Sequence, residues 1–169
     1  MKTVSKSILV VAALTLAACS DPARFDTAGA GAGTTGAAGF AGSVNDPSSV
    51  AYFEQTIGDR VHFAVDQSSL SDSALVTLAG QAEWLLTNTE YSVIVEGHAD
   101  EQGTREYNLA LGARRANAVQ EYLVSRGVSP ARVRTVSYGK ERPIEICSDE
   151  SCYAQNRRAV TVVTAGAGS

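Results

Sequence analysis

The segment from Thr104 to Arg126 is typical of an amphipathic helix, and it carries an arginine on its apolar side. At about 100° per residue, Arg115 falls inside the apolar stripe of this helix. The stripe consists of Tyr107, Leu111, Ala118 and Tyr122. An inward-facing guanidinium is costly unless anionic partners compensate for its lost hydration. We therefore expect Arg115 to contact an anionic group.

Two interpretations of Arg115 remain open on the residues alone. It forms an ion pair with an acid of the same domain, for which Asp100 is the candidate, or it lines a pocket that receives a ligand carboxylate. If Asp100 and Arg115 flank one cleft, their opposite charges complement a zwitterion. The free N–H groups near Thr104 and Arg105, at the start of the helix, also favour an anion.

The surrounding elements predict an α+β fold. Strands are expected at 61–65, 91–98, 133–138 and 158–163, from their apolar and β-branched runs. Helices are expected from a cap at Ser71 or Asp72 to about Asn88, and from a cap at Thr104 to just before Gly127. The order β-α-β-α-β-β indicates a two-layer sandwich in which a mixed four-stranded sheet carries both helices on one face. Trp84 falls outside the apolar stripe of its helix, which indicates packing at the flank.

The remaining sequence divides the chain into four parts. Residues 1–18, with Lys2, Lys6 and a short apolar run, are typical of a cleaved export signal and are too short to span a bilayer. Residues 19–50 are rich in Gly and Ala and predict a flexible tether with a root-mean-square reach of about 30 Å. Residues 51–165 form the folded domain, and residues 166–169 a frayed tail.

The segment Leu16-Ala17-Ala18-Cys19 resembles the bacterial lipobox, which implies cleavage before Cys19 and its acylation. An ordinary secretory signal beside a stray cysteine is the alternative. Cys147 and Cys152 then remain as an even pair in an oxidising compartment, which predicts a disulfide that shapes a local loop. Neither a metal site nor a cofactor is expected at this pair, because no second Cys/His pair accompanies it.

The chain has 14 basic and 18 acidic residues, a formal net charge of −4, so it lacks the basic surface of a nucleic-acid-binding protein. An enzyme is the first rival to a binding function. His98, Asp100 and Glu101 could mimic a metal cluster, but neighbouring side chains at a strand end point to opposite faces. The second rival is a periplasmic scaffold that binds proteins and in which Arg115 is paired internally.

Several spaced motifs resemble the OmpA-like peptidoglycan-binding domain over about residues 55–164. They are Gly97-His98-Ala99-Asp100-Glu101-Gln102-Gly103-Thr104, Tyr107-Asn108-Leu109-Ala110-Leu111, Arg114-Arg115-Ala116, Ser137-Tyr138-Gly139, Pro143 and Asn156-Arg157-Arg158. With the lipobox and tether, the whole is similar to the lipoproteins of the Tol-Pal system. The resemblance implies a non-enzymatic protein, anchored in outer-membrane lipid through Cys19 and facing the periplasm, which links the outer membrane to the cell wall. It also implies a role in envelope integrity and cell division, with TolB and other Tol-Pal components as partners.

The same resemblance implies a ligand and the residues that bind it. The ligand is the meso-diaminopimelate of uncrosslinked peptidoglycan stem peptides, and the family's binding aspartate and arginine correspond to Asp100 and Arg115. Asp66 and Thr104 are further expected contacts, although Val65 stands where the family usually has an aromatic residue before Asp66. Asn156-Arg157-Arg158 either braces the pocket or ends the sheet. Ser20 resembles signals for outer-membrane sorting.

Overall fold

The computed structural model describes residues 42–165. The predicted export signal, Cys19, most of the predicted tether and the C-terminal tail lie outside these residues. In chain order the elements are α1 (Val50–Tyr52), a π-helical segment (Phe53–Gly58), β1 (Arg60–His62), α2 (Asp72–Thr87), β2 (Tyr91–His98), α3 (Arg105–Ser125), a 3-10 turn (Pro130–Arg132), β3 (Val133–Gly139), α4 (Glu150–Asn156) and β4 (Arg158–Ala165). Among residues 42–165, none of the helices combines the length and the apolar character needed to cross a bilayer.

The strands form one mixed sheet in the order β1-β4-β2-β3. β4 lies antiparallel to both of its neighbours, whereas β2 and β3 are parallel. A parallel pair needs a long crossover, and α3 supplies it between β2 and β3. The predicted α+β class and the mixed four-stranded sheet are therefore confirmed.

The core lies between the sheet and the helices α2 and α3. Alternate residues of β2 are buried, among them Val93 and Val95, because successive side chains of a strand point to opposite faces. They belong to one buried apolar cluster with residues from both helices, including Leu78, Leu85, Val119 and Leu123. Ser71 caps α2 through its side chain, and Gly127 follows α3 with a positive φ of 103°, as the sequence predicts.

The helix α3 approaches the end of β2 at two glycines. A Cβ added to Gly97 would lie 1.8 Å from the carbonyl oxygen of Gly112, and a Cβ on Gly112 would lie 2.4 Å from Ser137 Oγ. No side chain fits between the two backbones. The contact brings Arg115, one turn further along α3, against the end of β2.

The N-terminal boundary of the folded unit differs from the predicted one. Residues 42–50 were expected in the tether, but Pro47 accepts a hydrogen bond of 2.6 Å from Trp84 Nε1, and Ser49 is buried and caps α1. Trp84 is 5% exposed and packs against Phe53 and Tyr91, with ring centroids 4.9 and 5.1 Å apart. Trp84 therefore does pack at the flank of its helix, and the residues that cover it there belong to the segment before β1.

Two predicted elements need correction. The first strand ends at His62, because its partner strand β4 begins only at Arg158, directly after α4, and the chain then turns through Asp66, which has a positive φ. The predicted order omits α4, which lies between β3 and β4. This polar helix starts at an Asp149 cap and lacks an apolar period. The sulfurs of Cys147 and Cys152 form a disulfide around its first turn.

Candidate ligand-binding site

A cleft of about 260 Å³ opens where the loop after β1, the end of β2 and the start of α3 meet. Its lining residues are Val65, Asp66, Asp100, Gln102, Gly103, Tyr107, Asn108 and Leu111. Two of the predicted site residues, Asp66 and Asp100, therefore face one cavity although 34 positions separate them in the sequence. Two carboxylates in a small cleft favour a cationic group.

Asp100 lies at the inner wall of the cleft and is 9% exposed. Its Oδ1 accepts a hydrogen bond of 3.2 Å from the Gln102 N–H, and its Oδ2 accepts one of 3.2 Å from Arg157 Nη1. A carboxylate has about four acceptor positions, so these two bonds leave acceptor capacity for a ligand. The arginine that pairs with Asp100 is Arg157, whereas the first of the two interpretations of Arg115 had placed Arg115 there.

Arg115 is completely buried, as the position on the helical stripe predicts. Its Nε donates to the Gln67 carbonyl at 2.8 Å, its Nη1 to the His98 carbonyl at 2.8 Å, and its Nη2 to the Ala64 carbonyl at 3.2 Å. The guanidinium also lies 5.2 Å from the centre of the Phe63 ring. Its partners are backbone oxygens of the loop after β1 and of the end of β2, so the buried guanidinium links these two segments.

The expectation of an internal ion pair at Arg115 is wrong for the part of the chain that the structure describes, where no carboxylate lies within 4.0 Å of its guanidinium. The expectation that it lines an open pocket also needs correction, since residues 64–67 cover it. Burial lowers the pKa of Arg115 to about 10, and the nearby charge of Asp100 opposes that effect. Arg115 therefore remains a cation at neutral pH, held beneath the loop that carries Val65 and Asp66.

Asp66 is shaped by an unusual backbone conformation. It has a φ of 56° and is the only non-glycine residue with positive φ between residues 42 and 165. Aspartate tolerates this left-handed conformation better than most residues, at a cost of about 1 kcal/mol. The Tyr107 hydroxyl donates a hydrogen bond to Asp66 Oδ1 across the cleft. Strain of this kind is typical of ligand-binding loops.

The two other expected residues have distinct places. Thr104 caps α3, because its hydroxyl accepts a hydrogen bond of 3.2 Å from the Tyr107 N–H, and it does not belong to the cleft lining. Its role as a ligand contact stays a prediction. Val65 lines the cleft and is 55% exposed, so its apolar side chain is available to a ligand. It offers less stacking surface than an aromatic ring.

His98 is buried beside the cleft residues but serves neither the cleft nor a metal cluster. Both of its ring nitrogens lack a hydrogen-bond partner within the described chain, and its ring stacks on Tyr138. Burial, followed by the charges of Arg158 and Arg142, lowers its pKa to about 4, although Glu96 Oε2 lies 3.5 Å away. His98 does not form a metal-binding cluster with Asp100 and Glu101 in the described residues. Within residues 42–165, the one group of three potential metal ligands is Cys147, Asp149 and Cys152, whose cysteines are disulfide-bonded.

Sequence reasoning missed two polar residues of this region. Tyr107 was expected on the buried stripe, but it is 44% exposed and faces the cleft, where its hydroxyl contacts Asp66. Arg157 was left open between a brace and a sheet end, and the structure places it against Asp100. The adjacent arginines Arg157 and Arg158 indicate a concentration of charge at the start of β4, but the sequence spacing does not predict that Arg157 pairs with Asp100.

The chain is similar to known proteins over most of its length. Residues 62–157 match the model of the OmpA family. The chain is 51% identical to the peptidoglycan-associated lipoprotein of Mesorhizobium japonicum over 96% of this chain and 92% of that protein. It is 48% identical to that of Rhizobium meliloti over 100% of this chain and 94% of that one.

Two solved structures are similar to this one. The peptidoglycan-associated lipoprotein of Burkholderia pseudomallei is 39% identical, with a TM-score of 0.64, and the match covers 72% of this chain and 98% of that chain. The C-terminal domain of Helicobacter pylori MotB has a TM-score of 0.60 at 21% identity, over 64% of this chain and 86% of that chain, which shows a shared fold alone. The chain therefore belongs to the OmpA family, among its peptidoglycan-associated lipoproteins.

Proposed function

We propose that this chain is an outer-membrane lipoprotein that binds peptidoglycan non-covalently through the meso-diaminopimelate of uncrosslinked stem peptides. The observation that carries the proposal is the placement of Asp66 and Asp100 in one cleft, near enough to the buried cation Arg115 for both carboxylates to raise its pKa against the effect of burial. Family membership supports it, since the relatives are named for their association with peptidoglycan. The proposed activity is binding, without catalysis.

The distal end of diaminopimelate carries both an ammonium and a carboxylate. In our proposal the ammonium binds Asp100, which has free acceptor positions, and Asp66 adds a second negative charge across the cleft. The carboxylate is attracted to the free N–H groups at the start of α3 and to the positive charge of Arg115.

Direct contact between the ligand carboxylate and Arg115 requires residues 64–67 to move. The carbonyls of Ala64 and Gln67 now occupy two nitrogens of the guanidinium. Their replacement by a carboxylate would exchange two neutral acceptors for charged ones, which form stronger hydrogen bonds. The strained backbone at Asp66 and the exposure of residues 64–67 make this loop the part of the site best able to shift.

The other parts of the proposal concern residues before the folded unit. Acylation of Cys19 would hold the chain in outer-membrane lipid, and the Gly/Ala-rich segment after it would let the domain reach the wall. A role in the Tol-Pal system, with TolB as a protein partner, follows from the resemblance of the whole chain to lipoproteins of that system.

Co-sedimentation with purified sacculi tests the wall-binding proposal. The full-length protein, in a mild detergent, should pellet with sacculi, and Asp100→Asn should lose at least about tenfold in affinity, because the ligand ammonium loses its charged acceptor. Glu121→Gln is the matched control: Glu121 is an exposed acid on α3 outside the cleft lining, so its removal should change nothing. A wild-type protein that stays in the supernatant would favour the protein-binding scaffold instead.

A further inference from the structure

Arg157 lies behind the cleft and connects three segments that are far apart in the sequence. It is 5% exposed. Its Nη1 lies 3.2 Å from Asp100 Oδ2, and its Nε donates to the Phe63 carbonyl at 3.2 Å. The Arg157 carbonyl in turn accepts the Phe63 N–H at 2.9 Å. The residue thus fixes the end of β2 to the start of the loop that carries Asp66.

The third anchor of Arg157 is Glu150, the first residue of α4. Glu150 forms an ion pair with Nη2 and a weaker contact of 3.4 Å with Nη1, and its side chain is 69% exposed. The Cys147–Cys152 disulfide closes the turn from which Glu150 projects. One side of the guanidinium therefore faces Asp100 and the other faces a covalently closed turn.

We propose that Arg157 is the positioning residue for the ligand-binding carboxylate of Asp100. The inference rests on the proposed function, in which Asp100 receives the ligand ammonium. Arg157 occupies one oxygen of Asp100 from the protein side, and the Gln102 N–H holds the other. These two bonds fix the carboxylate plane, so the acceptor positions that remain are presented to the cleft.

Two physical effects of Arg157 oppose each other. Its positive charge weakens the electrostatic attraction of the cleft for an ammonium, so its removal would by itself tighten binding. Its hydrogen bond orients Asp100, so its removal lets a nearly buried carboxylate turn away in search of water. We expect orientation to dominate, because the cleft retains Asp66 as a second negative charge whether or not Arg157 is present.

Titration of the full-length protein in mild detergent with a stem tripeptide that ends in meso-diaminopimelate tests the proposal. Arg157→Met should weaken binding about tenfold, while Asp100→Asn/Arg157→Met should bind no more weakly than Asp100→Asn alone, because a positioning residue acts only through the carboxylate it holds. Arg157→Lys should recover part of the loss. Arg60→Met is the matched control, since Arg60 also pairs with an aspartate, Asp59, but outside the cleft.

Glu150→Gln keeps the test decisive if Arg157→Met does not fold. Glu150 is exposed, so its substitution should leave the fold intact and weaken binding about threefold through looser support of Arg157, again with no effect in the Asp100→Asn background. Unchanged or tighter binding by Arg157→Met or Glu150→Gln, or an equal loss in the Asp100→Asn background, would overturn the positioning role. A wild-type protein that does not bind the tripeptide would overturn the proposed function itself.

Discussion

Acid should destabilise this protein through a single buried histidine. His98 is 1% exposed, and burial with the nearby charges of Arg158 and Arg142 lowers its pKa from 6.5 to about 4. In the unfolded chain the same ring titrates near its ordinary pKa. Between these two values the unfolded state therefore binds more protons than the folded state, and the free energy of unfolding falls as the pH falls.

The size of this effect follows from the shift in pKa. Each pH unit between the two pKa values contributes about 1.4 kcal/mol, so lowering the pH from 7 to 4 should remove about 3 kcal/mol of the free energy of unfolding through His98. The loss should become complete below pH 4, once His98 is protonated in the folded state as well. It should not arise above pH 7, where His98 is neutral in both states.

Urea unfolding of the wild type and of His98→Gln, from pH 4 to pH 8, measures this contribution. Carboxylates change the stability of both proteins alike, so the difference between the two curves isolates His98. The wild type should lose about 3 kcal/mol more than the variant on going from pH 7 to pH 4. His62→Gln is the matched control, because His62 is exposed and should leave most of the dependence in place. Parallel curves for wild type and His98→Gln would refute the reasoning.

Three further predictions concern packing and covalent structure. Gly97→Ala should cost more than about 3 kcal/mol or prevent folding, because its Cβ would collide with the Gly112 carbonyl, and thermal unfolding is the measurement. Gly42→Ala is the comparison: its Cβ meets no atom within 4 Å, so it should cost only the roughly 1 kcal/mol of its positive φ of 77°. Trp84→Phe should lose about 1–2 kcal/mol with its bond to the Pro47 carbonyl, and unchanged denaturant unfolding would contradict that contact. Cys147→Ser/Cys152→Ser should lower the unfolding free energy by about 2 kcal/mol, the contribution expected for so short a closed loop, and a loss of all structure by circular dichroism would contradict this local role.

The fold was predictable where local patterns decide it. The strand 91–98 and the start and end of α3 agree with the sequence because apolar alternation, the Thr104 cap and Gly127 act over a few residues. The helix α4 was missed because its seven residues are mostly polar and show no apolar period, so its Asp149 cap was the only local signal of a helix. Likewise, Pro47 was assigned to the tether because of the composition of residues 19–50, and its contact with Trp84 depends on tertiary structure.

The candidate site was predictable in its charges but not in its pairings. The helical stripe placed Arg115 inside the protein, and this is confirmed. Its partners are backbone carbonyls up to 51 positions away, and every residue offers such an oxygen, so no sequence pattern marks them. The pairing of Asp100 with Arg157, 57 positions away, depends in the same way on tertiary structure.

The most direct test of the central proposal compares two stem tripeptides that differ only in the third residue, meso-diaminopimelate or lysine. Both carry an ammonium for Asp100, and only diaminopimelate adds the distal carboxylate for α3 and Arg115. Calorimetric titration of the full-length protein in mild detergent should show the diaminopimelate peptide binding about 10- to 100-fold more tightly, the value of one charge-assisted hydrogen bond. Equal affinity for the two peptides, or binding of neither, would contradict the account.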